Sequence, residues 1–110
     1  MEKVVLITGS SKGIGKATAI EFAKIGGYKV VINYLTDKEN AEKLSNYLKE
    51  KYKIETLVIK TDISNEEQVK NMIQEVINKF GRIDVLVNNA EIAIDKEFED
   101  RTVEDWKRIQ

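Results

Sequence analysis

The chain has 110 residues, of which 42% are hydrophobic and 34% are charged, and its formal net charge is -1. This length predicts one domain over residues 1–110 with a real core, and the near-neutral charge excludes a strong general attraction to nucleic acid. Histidine and cysteine are absent, which excludes disulfides, thiol chemistry and zinc sites built from those residues.

The first predicted elements are a buried strand and a helix joined by a glycine-rich turn. Residues 4–8 form a short apolar run, typical of a strand in a parallel sheet. The helix is indicated by apolar residues at helical spacing: Ile14, Ala17, Ile20 and Ala23. The glycines of the turn follow the pattern G-x-x-x-G-x-G: Gly9, Gly13 and Gly15. Backbone amides at such a turn fit a phosphate or diphosphate, although the glycine spacing alone fits a ligand-free tight turn equally well.

The next elements are a second strand and a second helix. Gly26 and Gly27 are expected to end the first helix as a left-handed cap, and residues 29–33 form the second apolar run. Asp37 or a neighbour then opens a helix. Its buried face is predicted to carry three apolar residues: Ala41, Leu44 and Leu48.

Two further strands are predicted at residues 56–60 and 84–88. Between them, Ser64 and Glu67 read as a capping box that opens a helix, and Gly81 ends it. This helix carries an apolar stripe: Val69, Met72, Ile73, Val76, Ile77 and Phe80. Beyond the fourth strand, a second capping box is expected to open a last helix: Thr102, Asp105, Trp106 and Ile109.

Strands that alternate with helices predict a Rossmann-like α/β fold, with a parallel sheet of strand order 3-2-1-4 and helices on both faces. Ligands of such sheets bind beyond the carboxyl ends of the strands, at the switch point between strands one and four. The residues that follow each predicted strand are therefore the candidate site.

The residues at these strand ends favour NADP over NAD. NAD selection needs a carboxylate after strand two, where the chain has other side chains instead: Asn33, Tyr34, Leu35 and Thr36. Lys12 places a cation where a 2′-phosphate would lie, or is simply a solvated turn residue. Asp62, after strand three, accepts a hydrogen bond from adenine or caps the following turn. Asn88 and Asn89, after strand four, bind ligand or tie loops together.

Three motifs resemble the short-chain dehydrogenase/reductase family, and most of all its 3-oxoacyl-[acyl-carrier-protein] reductases. These motifs are TGSSKGIG at residues 8–15, Asp62-Ile63, and FGRIDVLVNNA at residues 80–90. The resemblance implies a mainly structural Asn88 and an NADP(H) site with these members: Gly9, Ser11, Lys12, Gly13, Ile14, Gly15, Asn33, Tyr34, Thr36, Asp62, Ile63, Asn89 and Ala90.

Two departures from the family pattern affect the expected function. Glu91 stands where the family has glycine, so its side chain and charge are expected to weaken cofactor binding. The family's catalytic serine and Tyr-x-x-x-Lys pair are also missing from these 110 residues. The matches Tyr34–Lys38 and Tyr47–Lys51 precede strand three and are interpreted as accidental, so no catalytic residue is assigned.

The expected function is therefore the NADP(H)-binding N-terminal portion of a reductase, without catalysis on its own or completed by a partner chain. The alternative is a self-associating α/β half-domain or scaffold with little nucleotide affinity. A homodimer is expected through the edge of strand four or through the helix at residues 102–110. No signal-peptide pattern or membrane-spanning apolar run is seen, so a cytoplasmic protein without a membrane partner is expected.

Overall fold

The structure, a computed structural model, describes residues 2–89, which form a parallel four-stranded sheet covered by helices. The elements in chain order are β1 (Lys3–Ile7), α1 (Gly13–Ile25), β2 (Tyr28–Tyr34), α2 (Lys38–Tyr52), β3 (Thr56–Lys60), α3 (Glu66–Phe80) and β4 (Val85–Val87). The strand order is β3-β2-β1-β4, which confirms the predicted α/β topology. None of the helices in this part of the chain is long and apolar enough to cross a membrane.

β1 lies in the middle of the sheet and contributes to a core on each face. It pairs in parallel with β2 on one side and with β4 on the other. Val4 and Leu6 pack into the cluster that α3 covers, while Val5 and Ile7 pack into the cluster beneath α1 and α2. Side chains alternate between the faces of a strand, so an apolar run is required where both faces are covered.

The buried face of α1 differs from the predicted one. Ile14 is 76% exposed and Ala17 is exposed, although apolar spacing placed both on one face with Ile20 and Ala23. The fully buried residues of α1 are instead small: Gly15, Ala19 and Ala23. A face of small side chains lets the helix backbone lie close to the sheet, a preference that apolar periodicity does not record.

The helix ends agree with the prediction in part. Asp37 caps α2, and its side chain accepts a hydrogen bond from the backbone N–H of Asn40. The expected Ser64 cap of α3 is wrong, because Asn65 is the cap and accepts from the Gln68 amide. The prediction for Gly26 is also corrected: its φ is 83° but its ψ is 162°, so it is not left-handed helical. Gly81 ends α3 in the left-handed conformation, as expected.

β4 is one residue shorter at each end than predicted. Before it, the Asp84 carboxylate accepts from the Val4 amide at 2.8 Å and pairs with Arg82, which fixes the entry of the strand. After it, Asn88 leaves the ladder and accepts from the Thr8 hydroxyl at 3.2 Å. The helix predicted from Thr102, like Ala90 and Glu91, lies outside the described residues.

Candidate functional site

The glycine-rich turn after β1 lies between the carboxyl ends of β2 and β4. The Thr8 amide donates to the Val87 carbonyl at 3.0 Å, and the Ser10 amide donates to the Asn33 carbonyl at 3.0 Å. The turn is therefore hydrogen-bonded to both neighbouring strands. This is the switch point, where the chain continues to opposite sides of β1 and a crevice opens in sheets of this kind.

The β4 side of the turn is held by Thr8 and the two asparagines that follow β4. The Thr8 hydroxyl accepts from the Asn89 amide at 2.8 Å and donates to Asn88 Oδ1 at 3.2 Å. Asn89 Nδ2 also lies 3.4 Å from the Gly9 carbonyl oxygen, to which it donates. Both asparagines thus tie the end of β4 to the turn, which agrees with the structural role expected for Asn88.

The β2 side of the turn is held by Asn33, which is 2% exposed. Asn33 Oδ1 accepts from the Gly9 amide at 2.9 Å, and the Asn33 amide donates to Ser10 Oγ at 3.0 Å. Ser10 Oγ in turn donates to the Ile7 carbonyl at 2.8 Å. The Gly9 and Ser10 amides are consequently satisfied within the protein, which leaves the amides further along the turn for a ligand.

Gly15 makes the close approach between α1 and the turn possible. A Cβ at this position would lie 2.6 Å from Asn89 Nδ2 and 2.9 Å from Ser10 Cα, and would also meet the Gly9 carbonyl oxygen. Real Cβ atoms do not approach so closely, so only glycine fits here. The start of α1 is thereby packed directly against the ends of β1 and β4.

The first turn of α1 supplies backbone donors that the helix itself does not use. Lys16 is the first residue whose amide reaches back to a carbonyl of the helix start, that of Lys12 at 3.3 Å. The amides of Gly13, Ile14 and Gly15 precede it and have no acceptor within the helix. These donors and the positive end of the helix dipole form an anion-binding geometry.

Three predicted site residues at the turn differ in how far they are open to a ligand. Lys12 is the N-cap residue of α1, and its exposed side chain makes no capping hydrogen bond. The apolar side chain of Ile14 is 76% exposed, while Ser11 is 7% exposed. Lys12 and Ile14 can therefore contact a ligand with their side chains, whereas Ser11 does so mainly through its backbone.

At the end of β3, Asp62 is engaged in the turn that leads to α3. Asp62 Oδ1 accepts from the Ser64 amide at 3.0 Å and from the Ser64 hydroxyl at 2.6 Å. These hydrogen bonds, the side-chain one first, lower the pKa of Asp62. The turn-capping interpretation of Asp62 is thus realised, and both contacts use one carboxylate oxygen. Ile63 is 3% exposed and packs in the α3 core, which leaves its backbone for a ligand.

At the end of β2, the predicted residues are placed differently from one another. Tyr34 is 9% exposed and packs in the core beneath α1 and α2, whereas Thr36 is exposed. The sequence identified Asp37 only as a helix cap. Hydrogen bonds from Asn40 lower the pKa of this carboxylate, and the nearby charges of Lys12 and Lys43 lower it further. Asp37 therefore lies close enough to Lys12 to influence the charge of the site.

Neither Tyr-x-x-x-Lys match lies where it could serve the turn. Tyr34 is in the core. Tyr47 lies on α2, where the Lys51 Nζ is 5.6 Å from the centroid of its ring, and interaction with Lys51 lowers the Tyr47 pKa. The start of α2 is the end of this helix that follows the carboxyl end of β2. Tyr47 lies nine residues further along the helix, about 14 Å along its axis.

A parallel sheet of this strand order with a glycine-rich turn at its switch point is typical of the Rossmann-like class of α/β domains. Residues 3–110 match the family model described as short chain dehydrogenase. The chain belongs to this family.

Similar proteins include the 3-oxoacyl-[acyl-carrier-protein] reductases FabG of Staphylococcus epidermidis and Staphylococcus aureus, each 39% identical over 109 residues. The alignments cover 99% of this chain and 44% of each reductase. The chain thus spans less than half the length of these relatives.

Two solved structures share the fold at 34% sequence identity. A short-chain dehydrogenase from Burkholderia cenocepacia in complex with NADP has a TM-score of 0.76, and covers 94% of this chain and 41% of its own. The L-sorbose reductase of Gluconobacter frateurii, complexed with NADPH and L-sorbose, has a TM-score of 0.77. The alignment covers 96% of this chain and 40% of the reductase.

Proposed function

We propose that this chain binds NADP(H) at the carboxyl ends of its strands. The observation that carries the proposal is the group of unused amides at Gly13, Ile14 and Gly15, held at the switch point by the close packing of Gly15. A dinucleotide diphosphate is the anion that suits these donors. The complexes that the two similar structures form with NADP and NADPH support the same assignment.

The charges around the turn favour the phosphorylated cofactor. Lys12 offers an exposed cation beside the anion-binding amides. Asp37, the carboxylate closest to the end of β2 in the sequence, binds Asn40 through both oxygens, at 3.2 Å and 2.7 Å, and so is committed to the start of α2. A 2′-phosphate near Lys12 would be neutralised, while the ribose hydroxyls of NAD would lack a free carboxylate.

The remaining predicted contacts complete the proposed site. Asp62 and Ile63 would hold the adenine, with Thr36 near the 2′-phosphate. Asn33 and Tyr34 are buried, so their side chains would hold the surrounding segments in place more than contact the ligand. Asn89 would lie along the ribose, followed by Ala90, which is outside the described residues.

The parent activity that we propose is the NADPH-dependent reduction of a 3-oxoacyl thioester, as the names of the similar reductases indicate. Hydride transfer to a ketone needs an acid that protonates the substrate oxygen. The two Tyr-x-x-x-Lys pairs of these 110 residues lie in the core and on α2, so we propose that the chain binds cofactor without turnover on its own.

Calorimetric titration with NADP⁺ and NAD⁺ tests the binding proposal. We expect NADP⁺ to bind about tenfold more tightly than NAD⁺, because a charge-assisted contact to Lys12 is worth one to a few kcal/mol. Lys12→Ala should remove most of this preference. Lys24→Ala, at the other end of α1, removes an exposed lysine paired with Glu21 and should leave the preference intact. Equal affinities for the two dinucleotides would contradict the proposal.

Absorbance at 340 nm tests the proposal that the chain does not oxidise NADPH on its own. With NADPH and an acetoacetyl thioester, we expect no oxidation of NADPH above the rate without protein. Turnover that scales with protein concentration would show that the chain, alone or as an oligomer, completes a catalytic site.

A second proposal concerns self-association. Among residues 2–89, β4 pairs with β1 on one side only, and its three residues are half-buried. An uncovered strand edge is a template for pairing with a second copy, so we propose that the protein forms a homodimer. We also propose that the protein is cytoplasmic. Light scattering at 100 µM should give the dimer mass. The monomer mass would refute the dimer and leave the binding proposal untouched.

A further inference from the structure

Asn33 connects the ends of three strands through hydrogen bonds from its backbone and its side chain. Toward β1, its Oδ1 accepts from the Gly9 amide, and its backbone exchanges hydrogen bonds with Ser10. Toward β3, its Nδ2 donates to the Thr61 carbonyl at 3.3 Å and lies 3.5 Å from the Ile59 carbonyl. The glycine-rich turn and the segment leading to Asp62 are thus attached to the two ends of one buried amide.

The chemistry of these partners requires an asparagine. The Gly9 amide needs an acceptor, while the Thr61 and Ile59 carbonyls need a donor. An asparagine amide provides both within one short side chain, and an aspartate would turn a carboxylate oxygen toward two carbonyls. Because Asn33 is 2% exposed, losing these bonds would leave buried polar groups without partners.

We infer that Asn33 is a positioning residue that sets the distance between the phosphate-binding turn and the end of β3, and thereby couples the binding of the diphosphate to the binding of the adenine. The inference rests on the proposed function, in which the turn holds the diphosphate and the β3 end holds the adenine. Asn33 acts through Gly9 and Thr61 and not by touching the cofactor.

Coupling of this kind has a measurable signature. NADP⁺ must engage the turn and the β3 end together, so its affinity depends on their spacing. The fragment 2′-AMP lacks the diphosphate, so it engages the adenosine side and, through its 2′-phosphate, the long side chain of Lys12, but not the backbone amides of the turn. A loosened connection should therefore weaken NADP⁺ much more than 2′-AMP, whereas partial unfolding would weaken both ligands to the same degree.

The test compares Asn33→Ala with Ser45→Ala by NMR titration at a temperature where each variant is folded. Ser45→Ala is the matched control, since it removes another buried hydrogen bond, 2.6 Å long, between α2 and Thr56. We expect Asn33→Ala to weaken NADP⁺ about tenfold or more and 2′-AMP less than about threefold. Ser45→Ala should leave both affinities near those of the wild type. Equal loss for both ligands, or no difference between the variants, would overturn the inference.

Two further measurements keep the test decisive. If Asn33→Ala does not fold, Asn33→Ser replaces it, because its single hydroxyl oxygen keeps a polar group at this position but cannot span Gly9 and Thr61. If the wild type binds no NADP⁺, the proposed function fails, and amide exchange in the ligand-free protein decides the role of Asn33. Faster exchange at both Gly9 and Thr61 in the Asn33 variant, but not in Ser45→Ala, is expected. Unchanged exchange at Thr61 would show that Asn33 does not couple the two segments.

Discussion

Gly15 and its neighbours show that one glycine pattern can serve two physical needs. Gly9 and Gly13 have φ values of 60° and 62°, a region that other residues rarely adopt. Gly15 is required instead because a side chain would collide with Gly9, Ser10 and Asn89. The sequence predicts the glycine-rich turn correctly. It does not reveal which glycine is needed for backbone conformation and which for space, since the collision depends on how the turn folds back on α1 and on Asn89, which follows β4.

Gly15→Ala is expected to weaken NADP⁺ binding at least about tenfold, because the added methyl must displace the turn or the start of α1. Gly81→Ala is the matched control. Its φ of 81° strains an alanine, but open space surrounds it, far along the chain from the turn. We expect Gly81→Ala to lower the unfolding temperature while leaving NADP⁺ affinity unchanged, as measured by calorimetry. A Gly15→Ala variant with wild-type affinity would show that the turn does not hold the ligand.

The pH dependence of stability should reflect Asp37 and Asp62, whose pKa values hydrogen bonds lower from the usual 3.8. A carboxyl with a lowered pKa binds fewer protons in the folded state than in the unfolded state. Its stabilisation is therefore complete well above pH 3.8 and is lost as the pH falls below it. The unfolding temperature of the wild type should drop between pH 5 and pH 3.

Asn substitutions test this assignment, because an amide does not titrate. At position 62 its oxygen still accepts both bonds from Ser64, which share one oxygen, while at position 37 it keeps the bond from the Asn40 backbone amide and loses the one from the Asn40 side chain. In differential scanning calorimetry, the double variant Asp37→Asn, Asp62→Asn should lose less stability than the wild type between pH 5 and pH 3. The same acid dependence in both proteins would assign the effect to other carboxylates.

The orientation of the Asn33 side chain could not be predicted from the sequence. The family resemblance implies that Asn33 is a member of the NADP(H) site, which stays a prediction, while the structure shows its side-chain amide between Gly9 and Thr61. The orientation follows from the register of β2 against both of its neighbours, in which Asn33 lies beside Ile59. Residues brought together by such long-range pairing leave no local signal in the sequence.

At the scale of elements, the helices were predicted well in number and extent, within the described residues, and less well at their boundaries. The stripe of α3 was correct because large apolar side chains at helical spacing dominate its burial. The cap of α3 was wrong because Ser64 and Asn65 are both good N-cap residues, and a neighbouring group made the choice. Asp62 engages the Ser64 hydroxyl, which leaves Asn65 to accept from Gln68.

The two candidate caps make opposite predictions for mutants. Asn65→Ala should lower the free energy of unfolding by about 1 kcal/mol, the usual cost of losing an N-cap side chain. Ser64→Ala removes a hydroxyl outside the helix whose hydrogen bond to Asp62 is exposed to water, so it should lower the free energy of unfolding by less than about 0.5 kcal/mol at neutral pH. Urea denaturation of both variants measures the difference. A larger loss for Ser64→Ala would restore Ser64 as the functional cap.

At the scale of the whole molecule, the strand order was predictable because few arrangements satisfy alternating strands and helices in a parallel sheet. The two cores that result are separate clusters on opposite faces of the sheet. The two central strands, β1 and β2, contribute to both clusters. Periodicity does not reveal which strands are central, since every apolar run suggests a covered strand. In β1, which pairs on both sides and is covered on both faces, Val4, Val5, Leu6 and Ile7 are each 0% exposed.

The double burial of β1 implies that the protein unfolds cooperatively. Neither layer of helices can detach without exposing one half of β1, so loss of one core removes the support of the other. Amide hydrogen exchange at Val5 and Leu6 should therefore occur only through global unfolding and should match the free energy from urea denaturation. Exchange of these amides at a much lower free energy would show that the layers open independently. Since the glycine-rich turn continues directly from this strand, its shape should persist until the whole molecule melts.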